Sequence, residues 1–185
     1  RQMCIRDRVI IMKIEKIVTG LLDENCYVLK KDNTCLVVDP GDDYPKIKEA
    51  VGDAKVLAVL LTHSHFDHIG ALRNFLTKRS VKIFKKSSVE ETGIKIGDFD
   101  FQVVFTPGHS KDSISFYFPN EQVMFVGDFV FQESIGRCDL PGGSEDEMKN
   151  SLSKLKEYPK DITLYPGHGE ITTLDHELSH NPYLS

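Results

Sequence analysis

The sequence has no tryptophan, and its four cysteines (Cys4, Cys26, Cys35 and Cys138) form no CxxC pair. Thiols scattered in this way build neither a disulfide framework nor a cysteine zinc site, and they read as reduced, structural groups. Long apolar runs are missing too. The longest strongly apolar stretch, Val56 to Leu61, is far too short to cross a bilayer. Basic charge is not in excess either: the formal net charge is −5, which leaves no electrostatic footprint for DNA or RNA. No basic segment leads into an apolar stretch and a small-residue cleavage site, so no secretory signal is read. These absences lead us to expect a cytoplasmic protein with no nucleic-acid partner and no membrane. Oligomeric state is left open.

What is present is material for one domain: 185 residues, 40% of them hydrophobic and 28% charged. Residues 1–11, RQMCIRDRVII, are basic and irregular and are expected to lie outside the fold, with a single domain over 12–185. From there short β-rich runs recur: Ile14 to Thr19, Cys26 to Leu29, Cys35 to Val38, Val81 to Phe84, Phe99 to Thr106, Ile114 to Phe118, Val123 to Val126 and Thr163 to Tyr165. Val56 to Leu61 is apolar on both parities, as a fully buried strand must be. Lys46 to Val51 reads as a short helix, and Ile69, Leu72, Phe75 and Leu76 fit one face of a helix reaching about Lys78. Ser144 and Glu147 form an S-x-x-E capping box ahead of the apolar stripe Met148, Leu152 and Leu155. Strands outnumber helices, and helices fall between and after them. The expected class is α+β, with two sheets and helices packed outside.

Seven histidines stand out in the composition. Directly after the buried strand come Thr62-His63-Ser64-His65-Phe66-Asp67-His68-Ile69-Gly70, four possible metal ligands within six positions. Residues two apart in an extended stretch point to the same side, so His63 and His65 can share one metal. Asp67 and His68, where the chain turns into a helix, can reach a second. Imidazole with carboxylate is a donor set that suits zinc, iron or manganese. Three more candidates follow later strands, each beside a glycine: His109 in Pro107-Gly108-His109, Asp128 in Gly127-Asp128, and His168 in Pro166-Gly167-His168. His176 and His180 lie in a polar tail and read as solvated.

With Val38-Asp39-Pro40-Gly41 and the stretch Ile135 to Gly143, these motifs make the chain resemble the metallo-β-lactamase-fold hydrolases, in particular the glyoxalase II-like (hydroxyacylglutathione hydrolase) branch. The resemblance runs from Met12 to about Leu184. It implies a four-layer αββα sandwich with a dinuclear metal site at one edge of the two sheets. On the matching positions it implies His63, His65 and His109 around a first metal, and Asp67, His68 and His168 around a second. Asp128 would bridge them, and Asp39 would support the ligands from behind. The implied cofactors are two divalent ions, zinc foremost, with iron or manganese as alternatives.

The implied activity is thioester hydrolysis of S-(2-hydroxyacyl)glutathione to glutathione and a 2-hydroxy acid, with Asp67 and Asp128 as the catalytic carboxylates. No G-x-S-x-G elbow is present, and a metal site that lowers the pKa of water towards about 7 needs none. The helical C-terminal domain that holds glutathione in full-length glyoxalase II has no counterpart in the 17 residues after His168. Two readings therefore stand beside the first. One is a glutathione persulfide dioxygenase using a single iron at His63, His109 and Asp128. The other is a metallo-hydrolase of a different small ester, lactone or phosphodiester. Arg137 reads equally as a substrate-carboxylate partner or as half of a structural salt bridge, and Cys138 reads as packing. Phe66 and Tyr165 read as rim or core aromatics.

Overall fold

A computed structural model describes residues 10–77 and 80–184. Residues 1–9 of the expected extension, and Lys78 at the expected helix end, lie outside the described residues. Met12 packs against the core.

The first sheet is built from β1 (Lys13–Thr19), β2 (Glu24–Lys31), β3 (Thr34–Val38), β4 (Lys55–Leu60) and β5 (Lys82–Phe84), in that spatial order. Its first three strands are antiparallel, and β3, β4 and β5 run parallel. Connections between parallel strands must cross over, and α1 (Tyr44–Val51) makes the first crossover. Two single-turn helices, α2 (Phe66–Ile69) and α3 (Arg73–Leu76), make the second. The second sheet contains β6 (Gly93–Ile96), β7 (Phe99–Phe105), β8 (Ile114–Phe118), β9 (Val123–Gly127), β12 (Thr163–Pro166) and β13 (Thr172–Thr173), ordered β13-β12-β9-β8-β7-β6. A short ribbon, β10 (Val130–Phe131) with β11 (Ser134–Ile135), follows β9. The helices α4 (Glu145–Leu155) and α5 (Leu174–His180) come late in the chain.

Side-chain alternation sets the layers. Tyr27, Leu29, Leu36, Val38, Ala58 and Leu60 face inward and meet Phe101, Phe116 and Phe125 from the other sheet. The alternate residues Val28, Val37 and Val59 face outward and are covered by Ile47 of α1 and Phe75 of α3. On the far side Met124, Val126 and Leu164 are covered by Met148 and Leu152 of α4 and by Leu174 of α5. Each large side chain removed from water here contributes about 1.5–3 kcal/mol. Because both faces of each sheet are covered, the central strands are apolar on both parities. The architecture is the αββα sandwich of the α+β class that the resemblance implies.

Three local details differ from the sequence expectation. The single helix expected after His68 is broken, because the Ala71 N–H donates to the carbonyls of Pro40 and Gly41 at 3.0 and 3.1 Å instead of continuing the ladder. Phe75 is buried by this arrangement, while Leu76 turns to solvent. The capping box is half made: Ser144 Oγ accepts from the Glu147 N–H at 3.2 Å, while the Ser144 N–H donates to the Gly108 carbonyl at 2.8 Å. Finally, the polar tail is not loose, since α5 buries Leu174 and Glu177.

The two sheets are tied at one edge. The Ile114 N–H donates to the Thr62 carbonyl at 2.8 Å, and the Asn25 N–H donates to the Gly167 carbonyl at 2.7 Å. That edge lies at the carboxyl ends of β4, β9 and β12, where the histidine motifs emerge.

Candidate metal centre

The structure brings His63, His65, Asp67, His68, His109, Asp128 and His168 together at this edge. His63, His65 and His109 place ligand atoms within 4.8 Å of one another, as do Asp67, His68 and His168. The Asp128 carboxylate stands between the two groups. Its Oδ1 is 3.3 Å from His68 Nε2, and its Oδ2 is 3.5 Å from His109 Nε2, 3.6 Å from His168 Nε2 and 4.0 Å from His63 Nε2. Asp67 Oδ2 lies 3.1 Å from His168 Nε2 and 3.6 Å from His68 Nε2.

Hydrogen bonds behind the rings fix which nitrogen points inward. Asp39 Oδ2 accepts from the Thr62 hydroxyl at 2.5 Å, so that hydroxyl is left to accept from the His63 Nδ1–H at 3.0 Å. His68 donates its Nδ1–H to Asp39 Oδ2 at 3.0 Å. The other two rings use backbone: His109 Nδ1 donates to the Arg137 carbonyl at 2.8 Å, and His168 Nδ1 to the Leu22 carbonyl at 3.0 Å. Each bond assigns the tautomer, because its far partner can only accept or has already donated. Four Nε2 atoms therefore converge on Asp128, joined by His65 through Nδ1. Within the buried shell His63 Nε2, His68 Nε2 and Asp128 Oδ1 have no hydrogen-bond partner. Buried acceptors are rarely left so, and a divalent cation satisfies lone pairs and carboxylate together. The residues fit the metal.

Charge in the site follows the same layout. Burial pushes the His63 imidazole down to about 3, so it is a neutral donor. Burial also opposes charge on His68, but the facing Asp128 and Asp39 carboxylates win and raise it well above the ordinary histidine value. Asp128 would be raised by burial, yet the facing His68, together with His63 and His168, holds it well below the usual carboxylate range. Gly167 is required by contact: a Cβ there would lie 2.3 Å from Asp128 Oδ1 and 2.6 Å from His68 Cε1.

A groove of about 830 Å³ opens over Asp128, with Leu22, Phe66, Phe131, Ile135 and Leu140 on its walls. Arg137 borders it, and its guanidinium pairs with Asp139 at 2.7 Å on the exposed rim. Tyr165 stacks on Phe125 in the core, and Cys138 packs against the outer layer. His176 and His180 stack on each other along α5, away from the site, and His176 Nε2 meets Glu133 at 3.0 Å. Sequence reasoning missed Glu24 and Thr62. It also missed the carbonyls of Leu22 and Arg137, which as backbone acceptors leave no mark in the side-chain sequence.

Comparison with known proteins agrees with this geometry. The family model described as the metallo-beta-lactamase superfamily matches residues 19–95 and 87–168. A Bacillus subtilis protein named a probable metallo-hydrolase, YqgX, is 33% identical, over 94% of this chain and 98% of its own. The Haemophilus influenzae hydroxyacylglutathione hydrolase GloC is 28% identical, over 94% of this chain and 99% of its own. The crystal structure of TTHA1623 in a di-iron-bound form superposes with a TM-score of 0.81 at 31% identity, covering 92% of this chain and all of that one.

Proposed function

The chain belongs to the metallo-beta-lactamase superfamily, and from that premise we propose that it is a dinuclear metal-dependent hydrolase that cleaves acyl thioesters, with S-(2-hydroxyacyl)glutathione as the lead substrate. One observation carries the reading: Asp128 stands between two groups of three donors, its carboxylate 3.3–4.0 Å from the Nε2 atoms of His63, His68, His109 and His168. In this reading His63, His65 and His109 hold one divalent cation, Asp67, His68 and His168 hold another, and Asp128 is shared. Imidazole with carboxylate suits zinc, which we take as the lead, with iron or manganese as alternatives. Such cations supply Lewis acidity, lowering the pKa of water towards about 7 and favouring negative charge on an acyl oxygen.

The chain's own residues do the rest. Asp67 lines the groove, which supports a role for it in orienting the attacking water. Asp128 stays ionised beside His68 and so keeps a negative charge where cations must be held. Leu22, Phe66, Phe131, Ile135 and Leu140 give the groove an apolar wall. Water gives up a proton to Asp67 as its oxygen adds to the acyl carbon; the C–S bond then breaks and its electron pair leaves on sulfur as thiolate. A thiolate is a good leaving group, so no general acid is demanded of the walls. The relation to GloC supports a hydroxyacylglutathione substrate, and the net charge of −5 supports a small molecule over nucleic acid. A cytoplasmic setting without membrane attachment completes the proposal.

The test is a thioester panel led by S-lactoylglutathione, run on metal-loaded protein with metal quantitation alongside. Turnover that is lost to a chelator and regained with zinc supports the reading. No turnover on any thioester overturns it, as does a single iron per chain with oxygen uptake on a glutathione persulfide.

A further inference from the structure

Behind the site lies a carboxylate that the proposed chemistry does not use. Glu24 is fully buried, at 1% exposure, and opens β2 on the edge where the sheets meet. Its Oε2 accepts from the Thr19 hydroxyl at 2.7 Å. Its Oε1 has no hydrogen-bond partner and lies 3.7 Å from His68 Nδ1, the nitrogen that already donates to Asp39 at 3.0 Å. The slot is cut to size, since a Cβ on Gly41 would lie within 3.0 Å of the Glu24 carboxyl. Glu24 also reaches the other histidine of the same group, because its backbone forms a bridge with His168 across the two sheets. The adjoining Asn25 anchors that loop through its N–H to the Gly167 carbonyl and its Nδ2 to the carbonyls of Pro166 and Gly169.

We propose that Glu24 is a positioning residue for one half of the centre, holding His68 through its side chain and His168 through its backbone, so that it controls the affinity of the second cation and not of the first. The inference rests on the metal reading above. Burying a carboxyl with an unsatisfied oxygen carries a cost in stability, and a groove wall has no use for it. Facing the Nδ1 side of a ring whose Nε2 points at Asp67 and Asp128, it limits rotation of that ring in the way that partners behind a ligand do. The first group has its own backing, with Thr62 behind His63 and the Arg137 carbonyl behind His109. Glu24 touches neither.

Zinc titration of the chelator-treated chain, followed calorimetrically, separates the two affinities. In Glu24→Ala the second affinity is expected to fall by about 10–100-fold, the range for losing a residue that orients a ligand, while the first stays at the wild-type value. Glu24→Asp draws the carboxyl back by one methylene and keeps its chemical class; it gives the same one-sided loss and serves if the alanine variant does not fold. Two cations held at wild-type affinity, or parallel loss of both, overturn the assignment. A wild-type chain that takes up no second cation overturns the metal reading and this inference together, and is told apart by that result.

Discussion

His109 Nε2 lies 3.0 Å from His65 Nδ1. The Arg137 carbonyl holds the proton of His109 on Nδ1, so Nε2 brings a lone pair to that contact. Either His65 donates a proton to it or both rings turn lone pairs to a shared cation. The second arrangement is the one that His63 completes, since its ring centroid is 4.6 Å from His65 and 5.1 Å from His109. Replacing His65 by alanine is therefore expected to weaken the first cation selectively, the mirror image of the Glu24 variants. Zinc titration checks it; an unchanged first affinity would place His65 outside the ligand set.

Asp128→Ala removes the carboxylate common to both groups. Lewis-acid stabilisation is worth several kcal/mol, so losing its shared support is expected to lower thioester turnover by about 10²-fold or more. Steady-state kinetics on metal-loaded protein decides this, with the far-UV spectrum confirming the fold.

Gly167→Ala inserts a methyl where Asp128 and His68 already stand at 2.3 and 2.6 Å. The expected outcome is a lower melting temperature, corresponding to about 1–3 kcal/mol of overpacking, together with reduced metal content. A fully stable variant with wild-type metal content would show that the loop yields without disturbing the ligands.

The pH dependence of the metal-free chain carries a definite sign. His63 has a folded pKa of about 3 against an ordinary 6.5, so between those values it gains a proton on unfolding. Its contribution is complete above about 6.5 and is lost as the pH falls towards 3, at up to about 1.4 kcal/mol per pH unit. His68 is raised and works the opposite way, adding stability at low pH that is lost as the pH rises through its folded value. Urea unfolding of chelator-treated protein at several pH values should give a shallower acid-side slope for His63→Gln than for wild type. Equal slopes would contradict a buried neutral His63.

Ser144→Ala tests a part of the fold read straight from sequence. Ser144 caps α4 through the Glu147 N–H, and its loss is expected to cost about 1 kcal/mol without changing metal affinity. Thermal unfolding measures it.

That contrast shows where the sequence was legible. Buried strands such as Val56 to Leu61, the stripe of α4 and the ligand motifs are written in side-chain type and spacing, and they appear where they were expected. The break between α2 and α3 was not, because it depends on carbonyls of Pro40 and Gly41 that compete for the Ala71 N–H. The β10–β11 ribbon has two residues per strand, too few for any period to register. The helix α5 was hidden by its polar composition; what holds it is Glu177, which accepts from Thr172, Asn181 and the Glu133 N–H. In the site, side chains announced the ligands, whereas the partners that orient them are largely backbone carbonyls, or an acidic residue, Glu24, that looks like part of a surface turn.

Two donor groups flanking one shared carboxylate call for two cations. Zinc titration of the purified, chelator-treated wild-type chain should therefore saturate at two zinc ions per chain, with S-lactoylglutathione hydrolysis restored as they bind. Saturation at one ion, or no zinc binding, would show that the two groups do not form a dinuclear centre.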